Sequence, residues 1–147
     1  MAQENLQAVR SIYERWSEGD FAAGREVFDQ HVLFVMGPEF PEAGTYLGLE
    51  GIARYTRGFL EPWTRITIEA EELVDAGDSV IVAVRQRGVG DASGALTEFG
   101  YFHVWSFRGH KVIRLETFRE RAGALEAVGI GAAGAHPQSG AGPFEVS

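Results

Sequence analysis

The sequence predicts an α+β domain. Three observations carry the prediction: apolar spacing of three and four in segments near the N-terminus, a change to period two from Arg65 onward, and a short helical pattern after the last alternating run. The 147 residues suffice for one domain with a proper core.

In chain order, Asn5–Glu18 places Leu6, Val9, Ile12, Tyr13 and Trp16 on one stripe, which reads as a helix. Gly19 stops it, and Asp20 is positioned to cap a short second helix over Phe21–Phe28. His31–Met36 reads as a buried strand, and Gly37–Gly48, with Pro38, Pro41 and Gly44 between its end glycines, as a loop able to gate a pocket. Glu50–Leu60 is a third helix, with Ile52, Tyr55 and Phe59 on one side, ended by Pro62. Four strands follow, Ile66–Val74, Ser79–Gly88, Ala95–Phe107 and Lys111–Arg119, most simply joined as an antiparallel meander. Arg121–Val128 closes the domain as a helix. Residues 1–130 therefore read as one domain, and 131–147, rich in Gly, Ala and Pro, as a mobile tail.

Composition narrows the chemistry. Without cysteine there is no disulfide, thiolate nucleophile or Cys-based metal site. The four histidines, His31, His103, His110 and His136, show no metal-ligand spacing, so no metal or other cofactor is expected. A net charge of -8 disfavours nucleic acid and anionic membranes as partners. With no apolar run of membrane-spanning length and no signal-peptide pattern, the expected location is the cytoplasm.

The candidate site centres on one strand. Phe99, Tyr101, His103, Trp105 and Phe107 alternate strictly, paving one face with rings and a single imidazole. Such a face suits either a pocket for a small organic ligand or a well-filled core. By the same period, Ala83, Arg85 and Arg87 on the preceding strand and Leu115, Thr117 and Arg119 on the last are expected to share that face. The floor would then be cationic, favouring a largely apolar ligand with a carbonyl or carboxylate. Arg85 would bind that oxygen or pair internally with Glu98, Glu116 or Glu72. His103 would exchange protons or serve as a satisfied core donor. Tyr13 and Trp16 would contact ligand or pack in the core, and Tyr55, Phe59 and Trp63 would form the opposite wall. His31 is expected at the surface near a turn. Glu39 and Glu42 in the loop would swing inward as a base or remain solvated.

The phrases YERWSEGDF, LGLEGIARY, ELVDAGDSVIVAVRQRG and HVWSFRGHKVIRLETFRERAGALEAVG, in this order over about residues 4 to 130, resemble the SnoaL-like branch of the nuclear transport factor 2-like superfamily. The resemblance implies a curved antiparallel sheet wrapped around three N-terminal helices as a cone with an internal pocket, commonly a homodimer through the sheet. It also implies a range of activities, from ketosteroid isomerases, polyketide cyclases, dehydratases and epoxide hydrolases to binding subunits without activity. Position by position, the isomerase base corresponds to Met36, and its oxyanion-hole tyrosine and aspartate to Ile12 and His103. The aspartate of the cyclases and of the limonene-type epoxide hydrolases corresponds to Thr117. The Arg-x-Asp pair of the hydrolases corresponds to Arg85-Gln86-Arg87, with a cation in place of the second carboxylate. Two functions stay open: cofactor-independent acid/base chemistry on a hydrophobic metabolite, with His103 and Arg85 as catalytic candidates, or a non-catalytic binding or dimerisation module whose own rings fill its pocket.

Overall fold

Alternation and apolar stripes translate into α1 (Ala2–Ser17), β1 (Phe28–Met36), β2 (Gly44–Leu47), α2 (Gly48–Leu60), β3 (Trp63–Asp75), β4 (Ser79–Gly90), β5 (Leu96–Arg108), β6 (Lys111–Phe118) and α3 (Arg121–Ala127). The structure, a computed structural model, describes residues 2–40, 43–90 and 92–129; the predicted tail and Glu42 lie outside them. Among the described residues, no helix is long and apolar enough to cross a membrane.

The strands form one curved sheet in the order β2-β1-β6-β5-β4-β3. From β3 to β6 it is the predicted antiparallel meander. The first strand joins it differently, running parallel to β6 with Phe34 beside Leu115 and Met36 beside Thr117. Inside the segment predicted as loop, Gly44–Leu47 adds an antiparallel edge strand to β1. These few residues carry too short an alternation to read as a strand; pairing with β1 extends them.

The second predicted helix does not form. Residues 21–24 are turns, followed by a single 3-10 turn at Arg25–Val27, and Phe28 already belongs to β1. Gly24 is the cause, because its φ of 94° ends any right-handed helix at that point. A Cβ there would come within 2.8 Å of Ile12 Cδ1, so the glycine also lets the chain press against α1. The N-terminal part therefore contributes two α-helices and a 3-10 turn, not three helices.

Two apolar layers result. On the concave side, Val9, Ile12 and Tyr13 of α1 pack with Val80, Val82 and Val84 of β4, and with Tyr101, Trp105 and Phe107 of β5. On the other side, Ala124 and Leu125 of α3 cover Ile81, Ala83 and Val104. Both faces of β4 are thus buried along 80–84, which is why its sequence there is apolar without alternation.

Candidate functional site

Between α1, α2 and the concave sheet face lies a cavity of about 500 Å³, a size suited to a small organic ligand. Phe28, Phe34, Ile68, Tyr101, His103 and Leu115 form its sheet side, Leu49, Ile52, Tyr55 and Phe59 its α2 side, and Trp16 and Phe21 the α1 side. The amphipathic stripe of α2 supplies the wall at spacings of three and four. Ring–ring contacts stiffen it: Tyr55 meets Phe34 edge-on at 4.6 Å and stacks on Phe59 at 5.7 Å between centroids.

The polar centre is a three-residue relay. Trp105 Nε1 donates to the Tyr13 hydroxyl at 2.9 Å, and that hydroxyl meets His103 Nδ1 at 2.5 Å. An indole N–H can only donate, so the tyrosine oxygen accepts from Trp105 and its own proton goes to Nδ1. Protonation supports this direction. Burial raises the Tyr13 pKa well above its ordinary value, with the Trp105 hydrogen bond opposing, so the phenol keeps its proton. Burial also lowers the His103 pKa from 6.5 to about 3. The imidazole is therefore neutral at pH 7, accepts at Nδ1 and carries its proton on Nε2. His103 lines the cavity and makes no second hydrogen bond within the protein among the described residues. Next to it, Tyr101 donates to Gln86 at 2.8 Å and stands edge-on to the imidazole at 5.3 Å.

The structure brings only part of the predicted set together. Trp16, Tyr55, Phe59, Tyr101, His103 and Leu115 line the cavity. Tyr13, Trp105 and Thr117 are buried but absent from its lining; the first two act through His103, and Thr117 is paired with His103 across the strands. Phe99, the outermost ring of the strand, is 38% exposed. Trp63 also leaves the lining, since its ring lies over Gly88, where a Cβ would come within 2.6 Å. His31 is exposed, as expected.

The cationic floor is overturned. Across β4 and β5, His103 faces Val82 and Tyr101 faces Val84, whereas Arg85 faces Gly100 and Arg87 faces Glu98. The two arginines and Ala83 therefore occupy the opposite sheet face. There Arg85 binds Glu71 at 3.2 Å, while Arg87 binds Glu69 at 2.7 Å and Glu98 at 2.8 Å. Arg119 is exposed beyond the end of β6. Because 80–84 is apolar on both faces, nothing local in β4 told which parity pointed inward. Glu39 is likewise exposed, so it offers no buried base.

Other lining residues escaped the sequence reading. Phe28 was placed in the helix that does not form, and Phe34 reads only as part of an apolar run. Arg25, on the 3-10 turn, and Arg57, near the end of α2, belong to no local pattern that marks a site, and both are exposed. Among the described residues, no cluster of acidic and histidine side chains is arranged to hold a metal.

A family model described as the SnoaL-like domain matches residues 9–115. The chain belongs to the SnoaL-like family. Among solved structures, this SnoaL-like chain is similar to a nuclear transport factor 2-like protein of Burkholderia thailandensis E264, with 29% identity, 82% of this chain and 96% of that chain covered, and a TM-score of 0.69. A nuclear transport factor 2-like protein of Burkholderia pseudomallei K96243 aligns at 18% identity over 85% of this chain and 97% of that one, with a TM-score of 0.70. TerC, co-crystallised with polyporic acid, aligns at 20% identity over 84% and 97%, with a TM-score of 0.69. No curated protein matches the sequence. These likenesses establish the cone fold of the superfamily for the SnoaL-like domain.

Proposed function

We propose that this SnoaL-like protein binds a small, ring-containing and mostly apolar metabolite in its cavity, with a carbonyl oxygen of the ligand accepting from His103 Nε2–H. The carrying observation is the Trp105–Tyr13–His103 relay, which fixes a neutral imidazole as a donor at the buried end of an aromatic cavity. A buried neutral donor polarises a carbonyl and stabilises negative charge developing on its oxygen. That TerC was co-crystallised with polyporic acid supports a small molecule as the ligand class.

The chemistry this site supplies is cofactor-independent carbonyl polarisation. His103, with a pKa of about 3, is neither a cationic acid at neutral pH nor a strong base. Among the described residues, the single carboxylate in the cavity lining is Asp20, which is exposed and 3.8 Å from Arg15. Met36 and Thr117, at the positions where relatives carry carboxylates, supply no base. This shortage favours binding without turnover over catalysis, and both use the same ligand contact.

Fluorescence titration with 2-acetylnaphthalene and its carbonyl-free counterpart 2-ethylnaphthalene tests the proposal. The ketone is expected to bind wild-type protein about tenfold more tightly, a preference lost in His103→Phe. Equal affinities in wild type, or a preference that survives the substitution, would overturn the role of His103.

A further inference from the structure

Two cationic side chains line the mouth of the cavity. Arg25, on the 3-10 turn before β1, and Arg57, in the last turns of α2, both line the cavity and are both exposed. In this chain of net charge -8, Arg15, Arg85, Arg87 and Arg114 are held by acidic partners, whereas Arg10, Arg54, Arg65, Arg108 and Arg119 form no ion pair among the described residues. Arg25 and Arg57 form no ion pair among the described residues. Among the described residues, the one acid that lines the same cavity, Asp20, is turned to Arg15. Two guanidinium groups from separate elements thus stand at the solvent end of an apolar cavity whose buried end offers an N–H donor.

We infer that the ligand is an amphipathic anion: a flat apolar body with a carbonyl at His103 and a carboxylate at the opposite end, held at the mouth by Arg25 and Arg57. This assignment rests on the cavity being a ligand site, as proposed above, and adds the charge and polarity of the guest. The chemistry follows from placement. A carboxylate at the mouth keeps most of its hydration while gaining charge-assisted, fork-shaped hydrogen bonds from guanidinium groups. The same carboxylate at the buried end would be stripped of water beside a neutral imidazole and aromatic rings, which is unfavourable. The two ends therefore select opposite ends of one molecule. The left-handed Gly24 contributes as well, since it turns the chain so that Arg25 reaches the cavity instead of continuing a helix.

The test uses the full-length protein and three probes: 6-acetyl-2-naphthoic acid, its methyl ester and 2-acetylnaphthalene, titrated by intrinsic fluorescence at pH 7. The acid is expected to bind about tenfold more tightly than the ester in low salt, with the advantage shrinking as ionic strength rises. In the double variant R25Q/R57Q the acid should fall to the affinity of the ester, while 2-acetylnaphthalene binds as in wild type. Both substituted side chains are exposed, and unchanged affinity for the neutral ketone reports an intact cavity. An ester that binds as tightly as the acid, or an acid preference that persists in the double variant, would overturn the anion assignment and leave the ligand site standing. Failure of all three probes to bind would overturn both.

Discussion

Tyr13 and His103, 90 residues apart in sequence, share a buried hydrogen bond of 2.5 Å that joins α1 to the middle of β5. This contact locks the helix onto the sheet and sets the imidazole tautomer, so stability and the proposed donor role of His103 depend on the same hydroxyl. Removing it in Tyr13→Phe leaves Trp105 Nε1 and His103 Nδ1 without partners in a dry interior. The expected cost is about 1–3 kcal/mol, measured by urea denaturation. Nitrogen NMR of the imidazole should show loss of the single Nε2–H tautomer.

Acid should destabilise the protein through His103. Burial lowers the folded-state pKa of His103 from 6.5 to about 3, so on acidification the unfolded chain takes up this proton first. The stability held by the neutral form is fully present above pH 6.5 and is lost progressively as the pH falls toward 3. Between pH 6.5 and 5 the loss is about 1.5 kcal/mol. His103→Gln should flatten this part of the stability profile; an unchanged slope would show that another group is responsible.

Arg85 is expected to be irrelevant to the ligand. Its guanidinium pairs with Glu71 on the face opposite the cavity, with the side chain 35% exposed. Arg85→Gln should therefore change ketone affinity by less than about twofold, and stability by no more than about 1 kcal/mol. A tenfold loss of binding would contradict the strand register.

Gly24 is expected to resist substitution. Gly24→Ala forces a side chain into a left-handed backbone at φ 94° and drives its Cβ to 2.8 Å from Ile12 Cδ1. A cost of about 1–2 kcal/mol is expected from calorimetry. Because Arg25 follows directly, the acid preference of the cavity should weaken more than affinity for the neutral ketone.

The first and third predicted helices, which are α1 and α2, the four-strand meander and the closing helix were legible in the sequence because each is a local periodicity, whereas the helix expected over Phe21–Phe28 was not formed. The inward aromatic strand was legible too: Tyr101, His103, Trp105 and Phe107 are all buried, and alternation alone separates them from their neighbours. Sequence could not orient β4, since α1 covers one face of Val80–Val84 and α3 the other, erasing the alternation that marks an inner side. Nor could it pair Tyr13 with His103, or bring Arg25 and Arg57 to one opening. These are long-range juxtapositions, created when packing closes the sheet and helices around a shared core. Local patterns dictate which elements form; three-dimensional closure decides which of their side chains meet.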